Sequence, residues 1–322
     1  MSINLIISTY AGKIDNYNFN DKKHLYLRYN LKILNFLNLQ LDQITIMKPT
    51  INKEHKEMTD YYDLTNLNIP NIIEKIKITD CENIGISYGQ LFNALHNNQN
   101  FDYSIFIEDD YLFFNQNSIK NLLSEFKKNK QDSLLCSFIY KNRKWNLLQH
   151  AQKLNESQNI LQQLKKKLNN LNINSSNKYN IPDFSLCVLS KNTVNKIFNH
   201  FKYYQLYDLF SIAFKSIWLH QILFGLILYE SDIKIYDIQE NFINIFYNTG
   251  NNAITVTNNN QSIQINQIQN RIKNKLNQPI FIPLDVFIFD KFRNDMKLIS
   301  VMSNNSKEFR EDYLKIKNNF KS

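Results

Sequence analysis

The segment Phe101-Asp102-Tyr103-Ser104-Ile105-Phe106-Ile107 runs into three consecutive carboxylates, Glu108, Asp109 and Asp110. Neighbouring carboxylates repel, and they ionise together only when a cation or hydrogen-bond donors compensate. A hard divalent ion, Mn2+ or Mg2+, does so through oxygen ligands, and two carboxylates plus a substrate diphosphate are a usual way to hold one. A solvated acidic turn leading into a helix is the plainer reading. It accounts for one aspartate, not for three carboxylates directly after so apolar a strand. Upstream, Asp80-Cys81-Glu82-Asn83-Ile84-Gly85 leads into a helical pattern over residues 87–96, with Ser87 as its expected cap. Gly85 would let backbone approach a ligand closely, and a helix N-terminus favours anionic groups. An ordinary turn explains an Asn-x-Gly loop equally simply.

The elements that must position these residues follow from hydrophobic periodicity. Apolar runs at residues 3–8, 43–47, 72–79, 103–107, 133–140, 183–189 and 233–236 read as strands. Helical spacing is expected over residues 22–39, 87–96, 118–130, 191–201 and 207–228. Strands alternating with helices imply an α/β fold, a mostly parallel sheet with helices on both faces. Such a sheet binds ligands at the carboxyl ends of its strands. Residues 145–179 break the rhythm with one long amphipathic helix, in which Leu147, Leu154, Leu161 and Leu168 fall at sevens. Barely three heptads make a poor coiled-coil seam, so packing across the domain is the expected role. Residues 248–260 read as a mobile Gly/Asn/Thr loop, and the tail from residue 285 as helical and basic. The expected division is a nucleotide-binding half over 1–144, a helical insertion over 145–180, and an acceptor half with a basic tail over 181–322.

Composition bounds the rest. The 322 residues include 23 Phe and 18 Tyr, enough apolar material for a core, which excludes a disordered chain. Five Gly and five Pro exclude collagen-like and proline-rich classes. Three widely spaced cysteines argue against a disulfide framework or a cysteine zinc site, hence for a reducing compartment. The net charge of +9 suits polyanionic partners, but its lysines are scattered, with short clusters at Lys127-Lys128 and Lys165-Lys166-Lys167, as on a solvated surface. The first ten residues lack a signal-peptide pattern, and the longest apolar stretch, over 217–229, is too short to span a bilayer. A soluble, cytoplasmic protein is expected.

The order of Ile-Ile-Ser-Thr-Tyr at the first strand, Asp80, Asn83, Gly85 and Asn93, then an aromatic-apolar strand closing on Glu108-Asp109-Asp110 resembles a GT-A glycosyltransferase. The resemblance is specific over residues 1 to 115 and looser to residue 240. It implies a GT-A-like, Rossmann-like sheet and a "DxD" motif that binds a divalent ion and a nucleotide-sugar. Asp110 would be the direct metal ligand, with Glu108 assisting through water, and Asp109 would contact ribose or donor-sugar hydroxyls. Thr9 and Tyr10 would line the nucleotide, Tyr10 near the base. Asp80, Asn83 and Gly85 would flank base and ribose, and Lys48 could meet a phosphate. The implied partners are a nucleotide-sugar donor and a glycan, lipid-linked or protein acceptor, with peripheral contact to an anionic membrane and no nucleic acid.

Many members of that family carry an acidic base on an acceptor-side helix. Here the comparable stretch reads Trp218-Leu219-His220-Gln221. His220 could serve as base, since imidazole titrates near neutrality. His150 and Asp183 are rival candidates, and the base stays open. A sugar-phosphate nucleotidyltransferase is the nearest alternative. It calls for a Gly-rich basic loop after the first strand, where only Ala11-Gly12-Lys13 stands. A non-catalytic carbohydrate- or nucleic-acid-binding module is a further alternative, suited by the tyrosines.

Overall fold

The computed structural model describes residues 1–13, 26–109, 111–113, 116–128, 132–136, 139, 146–147, 158–182, 186–213, 217–237, 242–245, 253–255, 262–264 and 297–301. Its centre is a seven-stranded sheet. In chain order the strands are β1 (Ile3–Ser8), β3 (Gln43–Pro49), β5 (Ile76–Cys81), β6 (Tyr103–Glu108), β8 (Ser133–Cys136), β9 (Leu186–Ser190) and β10 (Lys234–Asp237). The spatial order is β10-β8-β9-β6-β1-β3-β5. Only β9 runs antiparallel, to both β6 and β8; the other neighbours pair in parallel. The fold is therefore α/β with a mixed, mostly parallel sheet, as the alternating pattern implies.

Period-two alternation assigns each strand side chain to one of two cores. Leu5, Ile7, Ile105 and Ile107 join one core, with α1 (Tyr26–Leu37) and α3 (Ser118–Lys127). Ile6 and Phe106 join the other, with α2 (Ile86–Asn97), α4 (Gln158–Asn170), α5 (Lys191–His200), α6 (Tyr203–Ile212) and α7 (Ile217–Glu230). Helices thus cover both faces, and β1 and β6 are buried on both sides.

Several boundaries depart from expectation. The pattern over 72–79 divides into a 3-10 turn, Ile73–Lys75, and β5. The single helix expected over 207–228 is two helices, α6 and α7, both packed into the second core. Its apolar run is continuous because α7 is buried all round (residues 219–228), and so it carries no periodic break to mark the boundary. The 13-residue helix α4 replaces the long helix of 145–179 among the described residues, with Leu164 and Leu168 fully buried one turn apart. That is the packing of one amphipathic face, not a heptad seam. Part of the expected loop at 248–260 is the first strand of a hairpin, β12 (Ala253–Thr255) with β13 (Ser262–Gln264). The tail contributes a strand, β14 (Lys297–Val301), where a helix is expected. It pairs in parallel with β7 (Tyr111–Phe113) and antiparallel with β11 (Phe242–Ile245). Its sequence Lys-Leu-Ile-Ser-Val includes the β-branched Ile299 and Val301, which favours a strand once a partner edge exists.

The two remaining short strands, β2 (Gly12–Lys13) and β4 (Lys56–Glu57), pair with each other. All three cysteines are buried and none is in a disulfide. Among the described residues no helix is long and apolar enough to cross a membrane. Helix α5 begins on Ser190, whose hydroxyl accepts the Thr193 N–H at 3.2 Å and also meets the Thr193 hydroxyl at 3.0 Å. Ser190→Ala is expected to cost about 1 kcal/mol, measured by urea denaturation.

Candidate functional site

Strand order decides where a site can form. From β1 the chain moves one way to β3 and β5, then returns to the other side of β1 as β6. The reversal lies between β1 and β6. In open α/β sheets ligands bind in the crevice outside the carboxyl ends of strands at such a switch point. The residues there are Ser8 and Thr9 after β1 and Glu108 and Asp109 after β6, with Ser8 and Glu108 directly paired.

The three consecutive carboxylates do not form one cluster. Glu108 follows Phe106 on the α2 side, is half-buried, and accepts the Ser87 O–H on Oε1 at 3.0 Å. Asp109 follows Ile107 to the opposite side. It is 8% exposed, and its Oδ2 accepts the hydroxyl of the fully buried Tyr61. This corrects the expectation that Asp109 meets ribose or sugar hydroxyls: strand alternation turns it inward. Ser87, expected as the cap of α2, instead orients Glu108, and Gly85 occupies the cap position with φ +68°. Asp110 lies outside the described residues. The buried Asn30 of α1 ties down both its neighbours, donating to the backbone carbonyls of Asp109 at 3.2 Å and Tyr111 at 2.7 Å.

Thr9 is 2% exposed and committed to internal contacts. Its hydroxyl donates to the Met47 carbonyl at 2.5 Å, so the Tyr62 hydroxyl, 2.6 Å away, donates to it. The Gln90 side chain grips the Thr9 backbone from both sides, accepting its N–H at 3.0 Å and donating to its carbonyl at 2.8 Å. The threonine therefore fixes the end of β1 against α2 and offers no side-chain group to a nucleotide, contrary to expectation. Burial pushes the Tyr62 phenol well above its ordinary range, so it remains a donor.

The other edge residues are more open. The Tyr10 hydroxyl meets Nδ1 of the half-buried His55 and accepts the Asn52 N–H at 3.3 Å. Asn83 donates through Nδ2 to the Asn52 side chain at 2.8 Å and through its N–H to the Thr50 hydroxyl at 3.2 Å. Tyr10, Asn52 and Asn83, from the ends of β1, β3 and β5, thus form one polar chain along the carboxyl edge. Lys48 lies 3.6 Å from the exposed Asp80 and 5.6 Å from the Tyr62 ring centre. Burial and the Asp80 carboxylate push the Cys81 thiol up to about 12, so it stays protonated near neutral pH. A Cβ at Gly85 would stand 2.8 Å from the Phe210 Cβ, so the residue lets α6 approach this loop.

His220 is elsewhere. It is 0% exposed within the second core, with the rings of Phe210 and Tyr88 centred 5.9 and 6.2 Å away. The backbone carbonyls of Phe210 and Ala213 face it, yet neither ring nitrogen has an aligned hydrogen-bond partner. Burial lowers its pKa to about 4. The neutral imidazole is the form that accepts protons, but burial has weakened it as a base and seals it from any acceptor, which argues against a catalytic role for His220. The other two, His150 and Asp183, lie outside the described residues.

The depressed pKa makes His220 a stability element instead. Between pH 4 and 6.5 the unfolded chain binds a proton at this site that the folded chain does not, so stability rises with pH and is lost on acidification. Lowering the pH from 7 to 4.5 is expected to remove on the order of 2 kcal/mol through this residue. His220→Phe should flatten that part of the urea-denaturation profile and leave turnover per folded molecule unchanged. A pH profile as steep in the variant as in the parent would assign the acid sensitivity elsewhere.

Tyr61, Gln90, Asn30 and His55 belong to the site's frame but carry no motif. A signal existed for Asn30: it sits among Leu27, Leu31 and Leu34 on the buried stripe of α1, where a polar residue needs partners. Fitting a metal to this frame rests on donor chemistry. Glu108 offers hard oxygen at the switch point, and Mg2+ or Mn2+ is commonly held by one or two carboxylates plus substrate phosphates. Among the described residues no three His, Cys, Asp or Glu side chains gather for a closed metal cage. The residues therefore fit an ion shared with substrate, with Glu108 and not Asp109 as the carboxylate.

The chain is similar in fold to several solved structures. One is a cytidylyltransferase from Leptospira borgpetersenii, 11% identical with a TM-score of 0.35 over 74% of this chain and 75% of that one. Another is CMP:2-keto-3-deoxy-manno-octonic acid synthetase complexed with CTP, 10% identical with a TM-score of 0.35 over 74% and 89%. A third is glucosyl-3-phosphoglycerate synthase from Mycobacterium tuberculosis with Mn2+, uridine diphosphate and phosphoglyceric acid, 9% identical with a TM-score of 0.33 over 73% and 67%. The likeness is one of fold. No protein-family model and no curated protein matches the chain.

Proposed function

We propose that this chain is a metal-dependent glycosyltransferase that moves a sugar from a nucleotide-sugar to a glycan, lipid-linked or protein acceptor. The observation that carries the reading is the Glu108 carboxylate at the switch point, held by Ser87 at the start of α2 and paired across to Ser8. Glu108 and Asp110 would hold Mn2+ or Mg2+, which when bound offsets charge developing on the leaving nucleoside diphosphate. Ser87 keeps the Glu108 carboxylate aimed at the crevice. Tyr10, Asn52 and Asn83 present polar groups along the edge where a base and ribose would lie, and Lys48 stands at the same edge for a phosphate. The donor binds over residues 1–144 and the acceptor over 181–322, with 145–180 as a cover. With His220 sealed in the core, His150 and Asp183 are the proposed sources of the base.

A sugar-phosphate nucleotidyltransferase is disfavoured by the segment after β1. Gly12 pairs with Glu57 and Lys13 with Lys56, and the Ala11 carbonyl accepts the Met58 N–H at 2.9 Å, which supports a structural use of this short backbone stretch over a phosphate-binding one. The deciding experiment incubates the full chain with a panel of nucleotide-sugars, with and without Mn2+, and measures nucleoside diphosphate released. In parallel, nucleoside triphosphates and sugar 1-phosphates are assayed for pyrophosphate. Mn2+-dependent diphosphate release is expected. Pyrophosphate release alone would make the chain a nucleotidyltransferase, and nucleotide binding without either product would make it a binding module.

A further inference from the structure

A second cleft lies on the far side of α2. By helical spacing Ser87 faces Glu108, whereas Gly89, Phe92 and Asn93 point the opposite way, towards α6. There they border a cavity of about 210 Å³. That is more than the roughly 150 Å³ that accommodates benzene and less than a drug-sized pocket, so it suits a small head group. Tyr203 and Tyr207, both partly exposed, supply its aromatic walls, while Phe92 and Phe210, 2% and 1% exposed, add little accessible surface. Gly89 leaves one side without a side chain.

The polar groups of this cleft are already paired with one another. The Tyr207 hydroxyl donates to Glu82, Asn93 donates to the Tyr203 hydroxyl at 3.0 Å, and the Asn93 oxygen accepts from Asn97 at 3.0 Å. His96 stacks on Tyr203 with ring centres 4.5 Å apart and planes within 9°, fixing that ring. A sugar needs many unpaired donors and acceptors, and few remain here. What the cleft still offers is aromatic surface and one negative charge. Glu82 is the only ionisable acid or base of the lining apart from the tyrosines. Among the described residues no Lys, Arg or His lies within ion-pair distance of it, in a chain of net charge +9.

We propose that the cleft between α2 and α6 binds an organic ammonium group, seated against Tyr203 and Tyr207 and neutralised by Glu82. Cations are attracted to aromatic faces, and quaternary ammonium ions are recognised by such walls with a nearby carboxylate. An anion is repelled by Glu82, and a compact inorganic cation gains little from the rings. The site is separate from the crevice at Glu108 and does not depend on the reading given to it.

The test is isothermal titration calorimetry of the full chain with choline and with 3,3-dimethylbutan-1-ol, the same shape without the charge. Choline is expected to bind in the millimolar range, at least about tenfold more tightly than the neutral isostere. Raising the salt should weaken choline binding. Glu82→Gln, at an exposed position, should keep the parent melting temperature and weaken choline by about fivefold or more. Tyr203→Leu should lower choline affinity independently of charge. The proposal is overturned if choline shows no heat up to about 50 mM, well beyond the expected range for such a contact. Equal affinity for the isostere, preference for glucose, or unchanged choline binding in Glu82→Gln would overturn it as well.

Discussion

Glu108→Gln is expected to lower Mn2+-dependent turnover by a factor of at least about 100, with the fold intact. The change keeps the shape of the side chain and its contact with Ser87, but removes the negative charge that would hold a hard cation. Loss of one preorganised electrostatic stabiliser typically costs about 10²–10³ in kcat. Because Glu108 is half-buried at a strand end, its melting temperature should move little. Asp109→Asn should do the reverse. Its carboxylate is 8% exposed and accepts the hydroxyl of the fully buried Tyr61. Weakening a buried, charge-assisted hydrogen bond costs about 1.5–3 kcal/mol, while turnover per folded molecule stays within about tenfold. Activity and thermal denaturation measured on both variants decide the matter. A dead, fully stable Asp109→Asn beside an active Glu108→Gln would invert the assignment of the two neighbours.

That contrast marks how far the sequence could be read. Apolar runs at 3–8, 43–47 and 103–107 announced three strands of a parallel sheet because burial on both faces demands continuous hydrophobicity. The acidic run announced a strand end at the ligand edge. Which carboxylate faces the crevice was not legible without the register. Period-two alternation sends Glu108 and Asp109 to opposite faces, so adjacency in sequence is separation in space. His220 misled for a related reason: a histidine in an unbroken apolar helix looks the same whether it lines a cleft or fills a core, and only the packing of Phe210 and Tyr88 distinguishes them. The tail misled because a strand as short as Lys-Leu-Ile-Ser-Val needs a partner edge, and β7 lies almost two hundred residues away. The polar residues that set the site's geometry, Asn30 and Gln90, were visible only as polar interruptions in buried helical stripes. Their partners are backbone atoms, which leave no mark on sequence.

Gly89→Ala is expected to destabilise the protein by more than about 3 kcal/mol, although helix propensity alone predicts a gain of about 1 kcal/mol. The reason is the entry to α2. Gly85 and Ile86 both hold left-handed conformations, φ +68° and +52°. The second is costly for a β-branched residue, which must be held there by its surroundings. The two together fold the loop back so that the Ile84 carbonyl oxygen rests on the Cα of Gly89, where an added Cβ would overlap it outright. An oxygen of the main chain cannot rotate away as a side-chain terminus can, so the loop must be displaced. That loop carries Asn83, and it sets the start of α2, from which Ser87 reaches Glu108. The melting temperature should therefore fall by roughly 6–12 °C, at about 2–4 °C per kcal/mol for a domain of this order. Mn2+-dependent turnover should fall with it. Gly225→Ala is the control. Its Cβ would stand 2.8 Å from the Asn180 carbonyl oxygen, also a main-chain atom but a far shallower overlap than the one at Gly89, so its loss should be the smaller. A rise in melting temperature for Gly89→Ala would mean that propensity outweighs the overlap and that the loop does not lie on the helix. The double left-handed turn would then have no role in aiming Ser87 at Glu108.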